Sequence, residues 1–245
     1  MRTFKRQPAR ISGLRIGLLI GLIAGLAMAV GGWWPVEARG FTVEQRLDQF
    51  GAAAQERLQV HYRAAGVRWP GERAALLAFK DQASLELHVQ DEQNRWQFVR
   101  RYPILAASGG PGPKLREGDY QVPEGFYRVS FLNANSRFHV SLRLDYPNAF
   151  DRQMAAREGR SGLGGDIMIH GSRVSVGCLA MGDPTAEELF TLAASIGMDK
   201  LEVLIAPQDF RQTSLPSRTS PVWLLALYED LQRSLQRFFS PPSEQ

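Results

Sequence analysis

Apolar and polar positions change their period several times along this chain, and each change marks an element. From Thr42 to Ala65, the residues Val43, Leu47, Phe50, Ala54, Leu58 and Ala65 recur at helical spacing. Thr42 and Gln45 stand in capping-box spacing at the start, and Gly66 ends the pattern. Such a helix is either a solvated spacer or a packed part of the domain. From Ala83 the period becomes two. Leu85, Leu87 and Val89 alternate with polar residues, Asp91 to Arg95 is polar, and Trp96, Phe98 and Ile104 resume the apolar pattern, which predicts a hairpin followed by a loop.

Ser108 to Lys114 holds three Gly and two Pro in seven residues, so it is a loop, placed to line a cleft. Two more strands are expected over Phe126–Leu132 and Phe138–Tyr146, joined by the polar stretch Asn133–Arg137. A short helix over Asp151–Glu158 then gives way to a glycine-rich stretch and to a buried strand, Ile167–Ile169, that ends at His170. Asp183 and Pro184 have N-cap and N1 chemistry for a helix that runs to Gly197. Leu201–Ala206 reads as a strand, and Pro221–Phe239 as a peripheral amphipathic helix.

The 245 residues suffice for one principal domain with helical additions. The expected division is 1–38 for a targeting segment, 39–75 for a helical juxtamembrane segment, 76–210 for the catalytic domain and 211–245 for a C-terminal helix and tail. Five basic groups (Arg2, Lys5, Arg6, Arg10, Arg15) precede an uncharged stretch from Ile16 to Pro35, the pattern of an export signal. Two readings stand: cleavage at the small-residue site Val36-Glu37-Ala38, or retention as an inner-membrane anchor. Gly13, Gly17, Gly21 and Gly25 would form a small-residue ridge on a retained helix. Either way the expected location is periplasmic.

Charge alters the picture little. Cleavage after Ala38 would remove five basic residues and one acid and bring the formal charge from +4 to zero. The high pI therefore belongs to the targeting segment, and no nucleic-acid partner is expected.

Cys178 is the only cysteine, so it forms no internal disulfide in an oxidising compartment and is either buried and inert or reactive. It follows His170 by eight residues in Ile169-His-Gly-Ser-Arg-Val-Ser-Val-Gly-Cys-Leu-Ala-Met-Gly-Asp183. A thiol attacks as thiolate, and a nearby imidazole supplies the base. Gly171 and Gly177 allow close backbone approach, and the amides around Gly177 and Cys178 are candidate oxyanion donors. Ser172 or a backbone carbonyl could orient the imidazole, and Ser175 could support the loop.

This stretch resembles the active-site signature of the L,D-transpeptidase catalytic domain (YkuD type), a His-Gly pair ahead of Ser-x-Gly-Cys. Gly112-Pro-Lys-Leu-Arg-Glu-Gly-Asp-Tyr-Gln-Val-Pro-Glu-Gly-Phe-Tyr127 resembles the loop and strand that precede it, so the likeness covers Ala83 to Ala206. It implies a mainly β (α+β) sandwich or barrel domain with peripheral helices. It also implies a cysteine acyl-enzyme acting on peptidoglycan stem peptides, with Cys178 as nucleophile, His170 as base, and Gly171, Ser172, Ser175 and Gly177 around them.

Val176 stands where many members have histidine, and Ala180 where many have arginine. These departures resemble a compact-motif Gram-negative subgroup, for which the likeness extends to hydrolysis, including release of a lipoprotein attached to the wall. An inactive wall-binding module is the rival reading. Lys114 and Arg116, beside the Gly/Pro loop, are candidates for binding the acidic stem peptide, and Arg173, nearer the chemistry, is the candidate to replace the missing arginine. His61, His88 and His139 lack partners at ligand spacing, so no metal site and no cofactor are expected.

Overall fold

The computed structural model describes residues 40–238. The expected export segment and its glycine ridge lie outside the described residues, as does the end of the C-terminal tail. Among the described residues no helix is long and apolar enough to cross a membrane.

Helix α1 (Val43–Ala64) begins on the expected capping box: Thr42 Oγ1 accepts the Gln45 N–H, and Gln45 Oε1 accepts the Thr42 N–H. Phe50, Ala54, Leu58 and Tyr62 are buried, so α1 is a packed part of the fold and not a solvated spacer. Residues 40–238 lie within one compact unit.

Eight strands follow: β1 (Ala74–Phe79), β2 (Ser84–Gln90), β3 (Trp96–Pro103), β4 (Gly125–Ser136), β5 (His139–Leu144), β6 (Met168–His170), β7 (Leu179–Ala180) and β8 (Leu201–Ala206). They form one mixed sheet in the order β3-β2-β1-β8-β4-β5-β6-β7. Most neighbours are antiparallel, while β1–β8 and β6–β7 are parallel. Ala106, just beyond β3, bridges Ala180 of β7, so the two edges of the curled sheet meet and neither is left open there. With α2 (Ala149–Arg157), α3 (Asp183–Ile196) and α4 (Leu224–Leu235) the fold is α+β, as expected.

Strand β1 escapes the period-two rule because every one of its residues is buried. Ala74, Leu76 and Ala78 face a core that includes α1 and α3, while Ala75, Leu77 and Phe79 face a second core. A strand covered on both faces reads as a continuous apolar run. The second core is capped by Leu224, Leu227, Tyr228, Leu231 and Leu235 of α4, so the C-terminal helix covers a sheet face instead of standing at the periphery. It is also shorter than expected and is followed by a 3-10 turn, Gln236–Phe238.

Two local expectations are corrected. The polar stretch Asn133–Ser136 is the end of β4, and Asn135 holds the entry of the chain there: its side chain accepts the Phe41 N–H and donates to the Phe41 carbonyl. At α3 the N-cap is Gly182, with φ of +78°, and Asp183 is the first helical residue with its side chain turned elsewhere.

Candidate active site

His170 ends β6 and Cys178 immediately precedes β7, and these two strands run parallel with Ile169 opposite Leu179 and His170 opposite Ala180. The sheet thus brings the expected nucleophile to within two register positions of the expected base, the two joined by a seven-residue loop that must turn within a short span. Gly171 makes this turn possible. A Cβ there would lie 2.4 Å from Asp183 Oδ1 and 2.7 Å from the Phe138 carbonyl, closer than backbone can yield.

The imidazole is held in one tautomer. Nδ1 lies 2.5 Å from the Gly171 carbonyl, which can only accept, so Nδ1 carries the proton and Nε2 has the lone pair of a base. Phe138 stacks on the ring, with centroids 4.6 Å apart and planes inclined by 24°. His170 Nε2 is buried and has no hydrogen-bond partner. An unsatisfied buried nitrogen costs about 1–3 kcal/mol, and such groups cluster where chemistry is done. Of the two orienting groups considered, the backbone carbonyl is the one used. Ser172 instead donates its N–H to Asp183 Oδ1 at 2.7 Å.

The thiol of Cys178 is partly buried and points to the Asp166 carbonyl, 3.6 Å from Sγ. Burial pushes its pKa up, further raised by the Asp166 charge and offset in part by the Met168 amide and Lys114. Burial likewise pushes His170 down, with the Gly171 hydrogen bond opposing. Both shifts favour a neutral thiol beside a neutral imidazole. Ser175 supports the loop as expected: its hydroxyl accepts the Cys178 N–H at 2.9 Å and donates to the Cys178 carbonyl at 2.6 Å.

The oxyanion donors expected at the Gly177 and Cys178 amides are already committed. The Cys178 N–H ends on Ser175 Oγ, and the Gly177 N–H ends on Ser108 Oγ at 2.5 Å. Gly177 sits at φ of +88°, where glycine is at ease. Ser108 and Asp183 are the residues that sequence reading passed over. The only signals were a serine at the head of a Gly/Pro loop and an aspartate that looked like an N-cap.

The candidate binding cations fare unequally. Lys114 is buried and spends its ammonium on Asp119 at 2.6 Å and the Arg116 carbonyl at 2.8 Å, so it ties a turn together in the wall of a cavity that Tyr120, Val176 and Gly177 also line. Arg116 and Arg173 are exposed, Arg173 on the loop between His170 and Cys178. Ala180 is fully buried between β6 and the Ala106 bridge, whereas Val174 and Val176 stand exposed on the loop with Leu105 and Tyr120 near it. Of the remaining histidines, His88 Nε2 lies 2.9 Å from Glu86 and His139 Nε2 lies 3.0 Å from Glu187.

A curled mixed sheet sets a histidine of fixed tautomer at the end of the strand next to the lone cysteine, the arrangement that the signature predicts. Residues 78–205 match the L,D-transpeptidase catalytic domain (YkuD), and the chain belongs to that family, whose members act on peptidoglycan stem peptides. Among curated proteins it is 37% identical over 148 residues to "Putative L,D-transpeptidase YafK" of Escherichia coli strain K12, and equally to that of strain O157:H7. The match takes in 58% of this chain and 56% of the relative, so the chain spans about half the length of the curated relatives it matches. Among solved structures it resembles the helical cell shape determining protein Pgp2 from Campylobacter jejuni, with 24% identity, TM-score 0.44, and 56% of this chain and 48% of that one covered. It also resembles Bdellovibrio bacteriovorus Bd1075, with 22% identity, TM-score 0.40, and 69% and 56% covered.

Proposed function

We propose that this chain is an exported cysteine acyltransferase of peptidoglycan, working in the periplasm and carried there by residues 1–38. The observation that carries the reading is the placement of His170 at the end of β6 and of Cys178 just ahead of the parallel strand β7, with the imidazole proton fixed on Nδ1 and Nε2 held in reserve.

In the proposed cycle the Cys178 thiol swings from Asp166 toward His170 Nε2 and gives up its proton as sulfur attacks a stem-peptide carbonyl. The carbon–nitrogen bond breaks, the leaving amine takes the proton back from Nε2, and a thioester remains on Cys178. An amine acceptor then yields a cross-link or an attached protein. Water yields a trimmed stem or frees a wall-linked lipoprotein. Of the candidate binding groups, Arg173 and Arg116 are exposed, and Arg173, on the loop between His170 and Cys178, is the one we assign to a stem carboxylate.

The deciding experiment incubates the full-length protein and its Cys178→Ala variant with sacculi, some carrying bound lipoprotein, and reads the muropeptides by mass spectrometry. Cys178-dependent cross-links or exchanged terminal residues identify a transpeptidase; Cys178-dependent trimming or lipoprotein release identifies a hydrolase. Identical products from both proteins would refute the enzyme reading in favour of a wall-binding module.

A further inference from the structure

The loop from Ser108 to Lys114 has no ladder to hold it, yet it is tied down from beneath. Lys80 and Glu124, with side chains 6% and 0% exposed, form an ion pair at 3.0 Å under it. Lys80 Nζ also donates to the Gly112 and Val122 carbonyls, Glu124 Oε1 accepts the Gly112 N–H, and Glu124 Oε2 accepts the Tyr228 hydroxyl at 2.6 Å. Nearer the head of the loop, the Gly110 N–H donates to Gln121 Oε1. A Cβ at Gly109, where φ is +83°, would lie 2.2 Å from that same oxygen, so only glycine follows this path. What the path delivers is Ser108.

Ser108 Oγ accepts the Gly177 N–H at 2.5 Å and donates to the Tyr120 carbonyl at 2.7 Å. Gly177 is the residue before the nucleophile, and Tyr120, Val176 and Gly177 line one cavity of about 200 Å³. Both amides beside Cys178 thus end on serine hydroxyls. Ser175 returns its proton to the Cys178 carbonyl within its own loop, whereas Ser108 reaches in from a separate, clamped segment. A hydroxyl proton turns about its C–O bond with no movement of heavy atoms. Accepting from an N–H also polarises the O–H that the same oxygen carries.

Resting on the acyl-transfer reading above, we propose that Ser108 is a catalytic residue, the hydroxyl donor to the oxygen that becomes negative when Cys178 attacks a carbonyl. Its proton turns from the Tyr120 carbonyl to that oxygen, while the Gly177 N–H stays bonded to Oγ. No proton changes owner in this step. The hydrogen bond strengthens as charge gathers on the substrate oxygen and weakens when the thioester carbonyl forms, so it favours the transition state over the ground state.

The test compares two reactions of Cys178 in the full-length protein and in Ser108→Ala and Ser108→Thr variants, with Cys178→Ala as blank. Acylation by p-nitrophenyl acetate passes through a tetrahedral oxyanion; alkylation by iodoacetamide displaces iodide and forms none. Ser108→Ala should slow acylation about tenfold or more and leave alkylation within about twofold, and Ser108→Thr, which keeps the hydroxyl, should recover most of the loss. Equal slowing of both reactions would mean that Ser108 only holds the thiol in place. Unchanged acylation would mean that it takes no part, and faster acylation that it blocks the Gly177 amide; each of these three results overturns the proposal. Neither probe is a wall fragment, so a Ser108-dependent acylation rate in a protein that leaves muropeptides untouched would sink the peptidoglycan reading alone.

Discussion

Asp183 Oδ1 accepts the backbone N–H of Ser172 at 2.7 Å, and the Gly182 N–H donates to the Ser172 carbonyl at 2.9 Å, so the start of the α3 helix clasps the turn after His170. The carboxylate that would otherwise cap α3 closes the turn after His170 instead. Asp183→Ala should therefore destabilise the protein by only about 1 kcal/mol, since the pair is exposed, yet cut Cys178 acylation by about tenfold through misplacement of the loop. Asp183→Asn keeps an acceptor and should recover most of the rate. Steady-state acylation rates beside thermal melts check this, and a variant that loses stability and rate in step would show that the contact serves the fold alone.

The two shifted groups of the site set a pH dependence. Burial lowers His170 below 6.5 and raises Cys178 above 9.0, so the neutral pair prevails between those limits. Acylation should stay level through neutral pH and fall only below 6.5, as Nε2 takes up a proton. Alkylation by iodoacetamide, which reports thiolate, should rise with a midpoint above 9.0. A midpoint below that value would mean that a thiolate–imidazolium pair already exists without substrate.

Asp151 makes the stability of the fold pH-dependent in the less usual direction. Burial raises its pKa from 3.8 to about 6, against hydrogen bonds from the Asn148 N–H and the Tyr127 hydroxyl. A carboxyl with a raised folded pKa contributes stability that is fully present below 3.8 and is lost as pH rises through about 6. Asp151→Asn stays neutral and keeps an acceptor for the Asn148 N–H. Relative to wild type it should gain on the order of 2 kcal/mol between those pH values. Urea titrations of both proteins across that range measure the difference; a constant gap would contradict the assignment.

Glu188 ties helix α1 to the sheet. Only 2% exposed, it accepts from Arg57 Nε at 2.8 Å, Arg100 Nη1 at 2.8 Å and the Tyr102 hydroxyl at 2.9 Å. Glu188→Ala leaves the buried Tyr102 phenol and the half-buried Arg100 without their acceptor and Arg57 with only Glu187 and the Pro184 carbonyl, and should cost about 2–4 kcal/mol. Denaturant unfolding gives the value, and hydrogen exchange should show α1 deprotected first.

Local signals were legible wherever apolar and polar residue types alternate at the period of the element. The capping box and stripe of α1, the alternation of β2, whose polar face is buried in ion pairs, that of β5 and the glycine ending α3 all follow from chemistry within a few residues. Strand β1 was not legible because helices cover both of its faces and erase the period. The ion pair of Lys114 with Asp119 was not legible either, because sequence shows a charge and not its burial.

The same division runs through the site. Cys178, His170 and the glycines between them were determined by sequence alone, since a lone thiol, a nearby imidazole and the room for a tight turn are properties of residue type and order. Only the tertiary structure decided that the Gly171 carbonyl selects the tautomer, that Asp183 clasps the loop and that Ser108 ends the Gly177 amide. A hydrogen bond depends on where two groups lie in space, and the curl of the sheet brings Ser108 to a residue 69 positions away, a distance no local pattern records.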